Sequence, residues 1–147
     1  MTPRDVQDLL QDLSTAFQQR DPRALLAQFS SRRDTTYAGS EADEVATGPQ
    51  NIKTLFEDLL SRESAYSFTF GTPHVIDTPA GSWILAEGTG TELGPSGATE
   101  TFKYRVTGMI VLEGGRSVWL ALCGSEVVPP LVEVPRLPSD DPAQQLT

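Results

Sequence analysis

Three acids crowd the stretch "YAGSEADEVATGP" at residues 37–49, namely Glu41, Asp43 and Glu44. Carboxylates this close can hold a hard cation or move a proton. A calcium loop of the helix-loop-helix type needs oxygen ligands at alternate positions, a glycine midway and a terminal glutamate across about twelve residues. "SEADEVATGP" lacks that spacing, so no metal site is expected here. The sole histidine, His74, has Asp77 three residues on, which suggests a general base and its orienting acid. On a strand, however, residues three apart point to opposite faces, and a surface histidine is the simpler reading. One histidine and one cysteine, Cys123, cannot form a nitrogen and sulfur metal cluster. No nucleophile elbow, Walker loop or dinucleotide fingerprint is present, and no cofactor is expected.

The bulk properties narrow the classes further. With 147 residues the chain is the size of one compact domain that can build a core without disulfides. The formal net charge of -9 opposes phosphate backbones and anionic lipid, so neither nucleic acid nor membrane is an expected partner. The first residues, "MTPRDVQDLLQDL", lack the basic start and apolar block of a signal peptide, and no run of about 18 apolar residues occurs. A soluble, cytoplasmic protein is expected.

The elements that must position any site follow from periodicity. Thr2, Pro3 and Asp5 read as N-cap, first-turn proline and third-position acid of a helix whose apolar stripe runs through Val6, Leu9, Leu10, Leu13, Ala16 and Phe17. Asp21 and Pro22 cap a short second helix with Leu25, Leu26 and Phe29. "DTTYA" and "EVAT" read as brief strands around the acidic loop, and Gly48 and Pro49 open a third helix bearing Ile52, Leu55, Phe56, Leu59 and Leu60. Beyond residue 65 the period becomes two, giving four strands at about 66–77, 81–91, 99–112 and 116–127 joined by short, turn-rich linkers. Helices first and a meander afterwards indicate an α+β domain over 1–127 with helices on one face of an antiparallel sheet. Residues 128–147, with the proline-rich "PPLVEVPRLPSDDPAQQLT" from Pro129, read as an extended or disordered arm.

Hairpin register sorts the strand residues by face. If "ELGPSGAT" joins Thr91 to Glu100 or Thr101, Glu87 lies opposite Arg105, and Trp83, Leu85 and Thr89 share their face with Lys103, Thr107 and Met109. A two-residue turn at Gly114 and Gly115 adds Leu120 and Leu122 to that face. Ile84, Tyr104, Val106, Ile110, Trp119, Ala121, Cys123 and Ser125 then occupy the other face, and a slip of one residue swaps the sets.

The segments "FSSRRDTTYAGSEADEVATGPQNIKTLFEDLL", "WILAEGT", "YRVTGMIVLEGGR" and "WLALCGSE" resemble the SnoaL-like group of the nuclear-transport-factor-2-like superfamily over about residues 4–127. That superfamily includes ketosteroid isomerase and polyketide cyclases. The resemblance implies a cone-shaped, cystatin-like fold, in which a curved antiparallel sheet and three helices enclose an apolar pocket. Homodimers through the sheet are common in it. The isomerase tyrosine, catalytic aspartate and second aspartate fall on Leu13, Gly39 and Thr107, so that mechanism lacks its base and donors here. Cys123 stands where many relatives are expected to carry a histidine, and by itself reads as a small buried hydrophobe.

Within this frame the expected pocket residues are Tyr37, Phe29, Phe56, Trp83, Glu87, Arg105, Thr107 and Met109. Glu87 and Arg105 are either ligand-orienting groups or a structural cross-strand ion pair. Glu41 could reach the pocket mouth, whereas Asp43 and Glu44 read as solvated. Three functions compete. The first is a small-molecule pocket for an apolar or aromatic ligand with one polar end. The second is an acid/base enzyme of the isomerase, cyclase or lyase kind, using Glu87 or Glu41 with Arg105 or Tyr37. The third is a dimeric interaction module whose interior is merely core.

Overall fold

A computed structural model of the chain describes residues 1–130. The expected arm at 128–147 lies largely outside the described residues.

Three helices, α1 (Pro3–Gln18), α2 (Pro22–Leu26) and α3 (Pro49–Ser61), pack on one face of a seven-stranded curved sheet, which makes the domain α+β. The strands are β1 (Thr36–Ala38), β2 (Val45–Thr47), β3 (Ala65–Phe70), β4 (His74–Thr78), β5 (Gly81–Leu93), β6 (Thr99–Glu113) and β7 (Arg116–Glu126). Their order is β2-β1-β7-β6-β5-β3, with β4 pairing β5 beside β3. All pairs are antiparallel except β1 with β7.

Local chemistry fixes the helix ends. The Thr2 side chain accepts from the Asp5 amide at 3.2 Å while Asp5 accepts from the Thr2 amide at 2.8 Å, closing a capping box around Pro3. Asp21 caps α2 through the Ala24 amide at 3.1 Å. α1 then buries Val6, Leu10, Leu13 and Phe17 against the sheet, and the buried Ser14 hydroxyl accepts the Phe68 amide at 2.8 Å. That bond ties α1 to β3 in one register.

Two irregularities in the sheet depart from the simple alternation of the sequence. The expected strand at 66–77 is two strands, broken at Gly71, Thr72 and Pro73, because proline brings no amide to the ladder. Phe70 pairs with Gly88 but His74 with Leu85, so three residues face two and the side-chain faces invert across the break. His74 consequently lies exposed on the outer sheet face, while Asp77, on the opposite face, accepts the Ser82 hydroxyl at 2.5 Å. The second irregularity is a bulge in β7. The Gly114–Gly115 turn, with φ of 60° and 77°, sets Glu113 against Arg116 and Ile110 against Trp119 as expected. Met109 then faces Ala121, which leaves Leu120 as an extra residue. Beyond it Leu122 joins the inner face, and Ala121, Cys123 and Ser125 turn outward, reversing the expected assignment. Cys123 is therefore exposed rather than buried.

Candidate functional site

The hairpin register of β5 and β6 is the expected one, with Glu87 opposite Arg105, Trp83 opposite Met109 and Leu85 opposite Thr107. The helices, however, cover the other face. Ile84, Ala86, Tyr104, Val106 and Ile110 are buried beneath them, whereas the Glu87 and Arg105 side chains are 67 % and 44 % exposed. The expectation that Trp83, Glu87, Arg105, Thr107 and Met109 face the pocket is thus corrected. They lie on the outer sheet surface, with Arg105 Nε 3.7 Å from Glu87 Oε1. Both faces carry enough apolar residues to be covered, and only the docking of α1 and α3 decides which one is.

Between those helices and the inner sheet face is a cavity of about 360 Å³. The floor is aromatic. β3 contributes Tyr66, Phe68 and Phe70, β6 contributes Phe102 and Tyr104, and α1 contributes Phe17. Alternation puts each set on one face, and the rings meet around Phe68, whose centroid is 4.8 Å from Tyr104 and 5.5 Å from Phe17. Tyr37 reaches the cavity from β1 and is only 5 % exposed. Phe29 and Phe56, expected as pocket walls, instead sit in the core behind it, with ring centroids 6.1 and 5.0 Å from that of Tyr37. Their edges hold the phenol in place.

The polar lip comes from the β1–β2 hairpin and the end of α3. Glu41 lines it, and so does Glu44, which is buried at 9 % exposure and not solvated as expected. Asp43, by contrast, is exposed. The Glu44 side chain folds back over Gly39, where any Cβ would collide with its carboxylate. Arg62 faces this group, with Nη1 3.4 Å from Glu44 and 3.5 Å from Glu41, and Nη2 3.1 Å from Asp58. Arg20 donates to the Arg62 and Glu63 carbonyls at 2.7 and 2.8 Å, closing the corner between α1 and α3.

Burial dominates the titration of these groups. Desolvation pushes the Glu44 carboxyl above the usual carboxylate range, helped by the Glu41 charge and opposed by Arg62. It raises Tyr37 well above the ordinary phenol value and pushes Tyr104 up to about 12, so both remain hydrogen-bond donors at neutral pH. The site therefore presents a carboxyl whose pKa is raised by burial and two neutral phenols, all bordering one apolar space. Among the described residues no group of three or more His, Cys, Asp or Glu side chains is placed to hold a metal ion, and no helix is long and apolar enough to cross a membrane.

Sequence reasoning passed over Glu44, Arg62, Tyr66, Phe102 and Tyr104. A signal for three of them was present, since Tyr66, Phe68 and Phe70 and then Phe102 and Tyr104 are aromatic at every second position. Nothing local marks Glu44 or Arg62, which meet across 18 residues.

Many solved structures share this architecture, among them the following three. A candidate calcium/calmodulin-dependent protein kinase II association domain from Xanthomonas campestris is 18 % identical over 88 % of this chain and 89 % of its own, with a TM-score of 0.69. A candidate dehydratase of the nuclear-transport-factor-2-like family from Streptomyces avermitilis is 12 % identical over 86 % and 97 %, with a TM-score of 0.73. A candidate aromatic ring hydroxylase from Novosphingobium aromaticivorans is 16 % identical over 86 % and 90 %, also at 0.73. At such identities the likeness is one of fold. Among curated proteins none matches the chain in sequence. The SnoaL-like domain family matches residues 6–120, most of the chain and every element from α1 into β7. The chain belongs to the SnoaL-like domain family.

Proposed function

We propose that the protein binds a small molecule with an apolar or aromatic body and one polar end. The observation that carries this reading is the cavity of about 360 Å³, with an aromatic floor and with Glu44 and Tyr37 at its wall. Cavities of roughly 300 Å³ and more, mostly apolar with a few convergent polar groups, are the usual form of small-ligand sites. The test is titration of isotope-labelled protein with naphthalenemethanol, a neutral aromatic alcohol, followed by NMR. Saturable shifts centred on Phe68, Tyr104 and Leu122 support the reading. Shifts confined to the outer face around Glu87, or none, remove it.

Acid/base catalysis is the second reading, with Glu44 replacing Glu87 and Glu41 as the base. It is favoured by the raised pKa of a buried carboxyl that shares a cavity with the phenols of Tyr37 and Tyr104. A compound that is bound and turned over should lose at least about 100-fold in kcat with Glu44→Gln. Unchanged turnover would exclude Glu44 as the base.

The outer sheet face is assigned to self-association. Ile76, Trp83, Met109 and Ala121 form one register row across four strands, with Ile76 56 % and Trp83 36 % exposed. Glu87 and Arg105 lie farther along the same face, beyond the Leu85–Thr107 pair, and suit the polar rim of a homodimer interface.

A further inference from the structure

We infer that the ligand's polar end is a cation, so that the cavity selects an aromatic or aliphatic amine over the matching acid or alcohol. This rests on the pocket reading above and adds the charge of the ligand. Five carboxylates line the cavity, those of Glu41, Glu44, Glu92, Glu100 and Glu126, against the two guanidiniums of Arg20 and Arg62. Both guanidiniums are engaged, Arg20 by two backbone carbonyls and Arg62 by three carboxylates. An incoming anion meets no unengaged cation among the described residues of the wall, whereas an ammonium meets an excess of acceptors.

The placement of Glu92 and Glu100 strengthens the case. They are direct cross-strand partners on the inner face, and both line the cavity. Like charges directly opposite each other destabilise an antiparallel pair. The Tyr66 hydroxyl, donating to Glu92 at 3.3 Å, is the one hydrogen bond this pair receives among the described residues. A cation between the two carboxylates relieves the repulsion. The adjoining floor suits the same charge, because it is aromatic, with Phe102 6.5 Å from both Tyr66 and Phe68 in edge-to-face arrangements, and aromatic rings attract a cation held against them. At the far wall Tyr37, 5 % exposed, borders the same space and brings a further oxygen to it. The net charge of -9 draws cations to the whole molecule and adds to the selection.

The test compares three probes of one shape, naphthylmethylamine, naphthalenemethanol and naphthoate, by isothermal titration at pH 7 in low salt. The amine is expected to bind about 10-fold tighter than the alcohol, and naphthoate weakest. In Glu92→Gln/Glu100→Gln the preference for the amine should fall towards unity, while the alcohol keeps its affinity and thermal unfolding shows the variant folded. Equal affinities in the native protein, or naphthoate binding best, overturn the charge assignment and leave the pocket intact. An undiminished amine preference in the folded double variant overturns the role of this pair. Failure of all three probes to bind overturns the pocket reading itself.

Discussion

The carboxylate of Glu44 folds over the α-carbon of Gly39, in the space that any side chain at position 39 would claim. The amide of Gly39 donates to the Glu44 carbonyl at 2.8 Å. A carboxyl is thus delivered to this corner of the cavity from the loop residue that immediately precedes β2. The physical requirement is a residue at 39 with no Cβ.

Gly39→Ala should therefore expel the Glu44 side chain, at a cost of about 1–3 kcal/mol for the overpacking. Gly39→Ala combined with Glu44→Ala should recover most of that loss, since the clash needs both groups. A double-mutant cycle by urea unfolding measures the coupling. Additive effects would mean that the two residues do not share the space.

Glu44 and Glu113 should give opposite pH signatures. The folded pKa of Glu44 is raised by burial, so its contribution to stability is full below the ordinary carboxylate value and is lost as pH rises through the folded pKa. The unfolding temperature of Glu44→Gln relative to the parent should accordingly climb as pH rises from below the ordinary carboxylate value through the raised folded one. Glu113 accepts the Ser30 hydroxyl at 2.5 Å and the Ser31 amide and hydroxyl at 3.0 and 2.7 Å, which hold its pKa down. Its stabilisation is present above the ordinary carboxylate value and lost as pH falls through the depressed folded one. Glu113→Gln should be less stable than the parent at pH 7, with the gap closing in acid. Calorimetry across this range checks both signs.

Tyr37→Phe and Phe56→Ala separate the cavity wall from the core behind it. Tyr37→Phe keeps the ring packed against Phe29 and Phe56, so it should change stability by less than about 1 kcal/mol and weaken a polar ligand by about the same amount. Phe56 is fully buried against Tyr37 and Phe29, and Phe56→Ala should cost about 3–5 kcal/mol. Denaturant titration and probe affinity read the two effects.

The exposed Glu87–Arg105 pair should matter little to the monomer fold. Glu87→Gln is expected to shift stability by less than about 0.5 kcal/mol and to leave probe binding unchanged. With the outer face self-associating as proposed, the parent should show a dimer's molar mass by light scattering and Trp83→Glu a monomer's. An unchanged mass would place the self-association surface elsewhere.

How much of this was legible in the sequence depended on the range of the interaction involved. Capping by Thr2 and Asp21, the stripe of α1, the Gly114–Gly115 turn and the pairing of Glu87 with Arg105 are decided within a helical turn or a hairpin, and residue types reveal them directly. Those local rules also suffice for the α+β class. The bulge at Leu120 and the break at Gly71–Pro73 shift the period by one residue, and strict alternation misassigns every side chain beyond such a shift until the pairing is known. Which face of the sheet becomes the cavity is more distant still. Trp83, Leu85 and Met109 make one face as credible a core as Phe102, Tyr104 and Val106 make the other, and the choice rests on where α1 and α3 dock. Glu44, Arg62 and Gly39 acquire their relationship only there, because burial, charge pairing and close approach belong to the packed chain and not to the order of its residues.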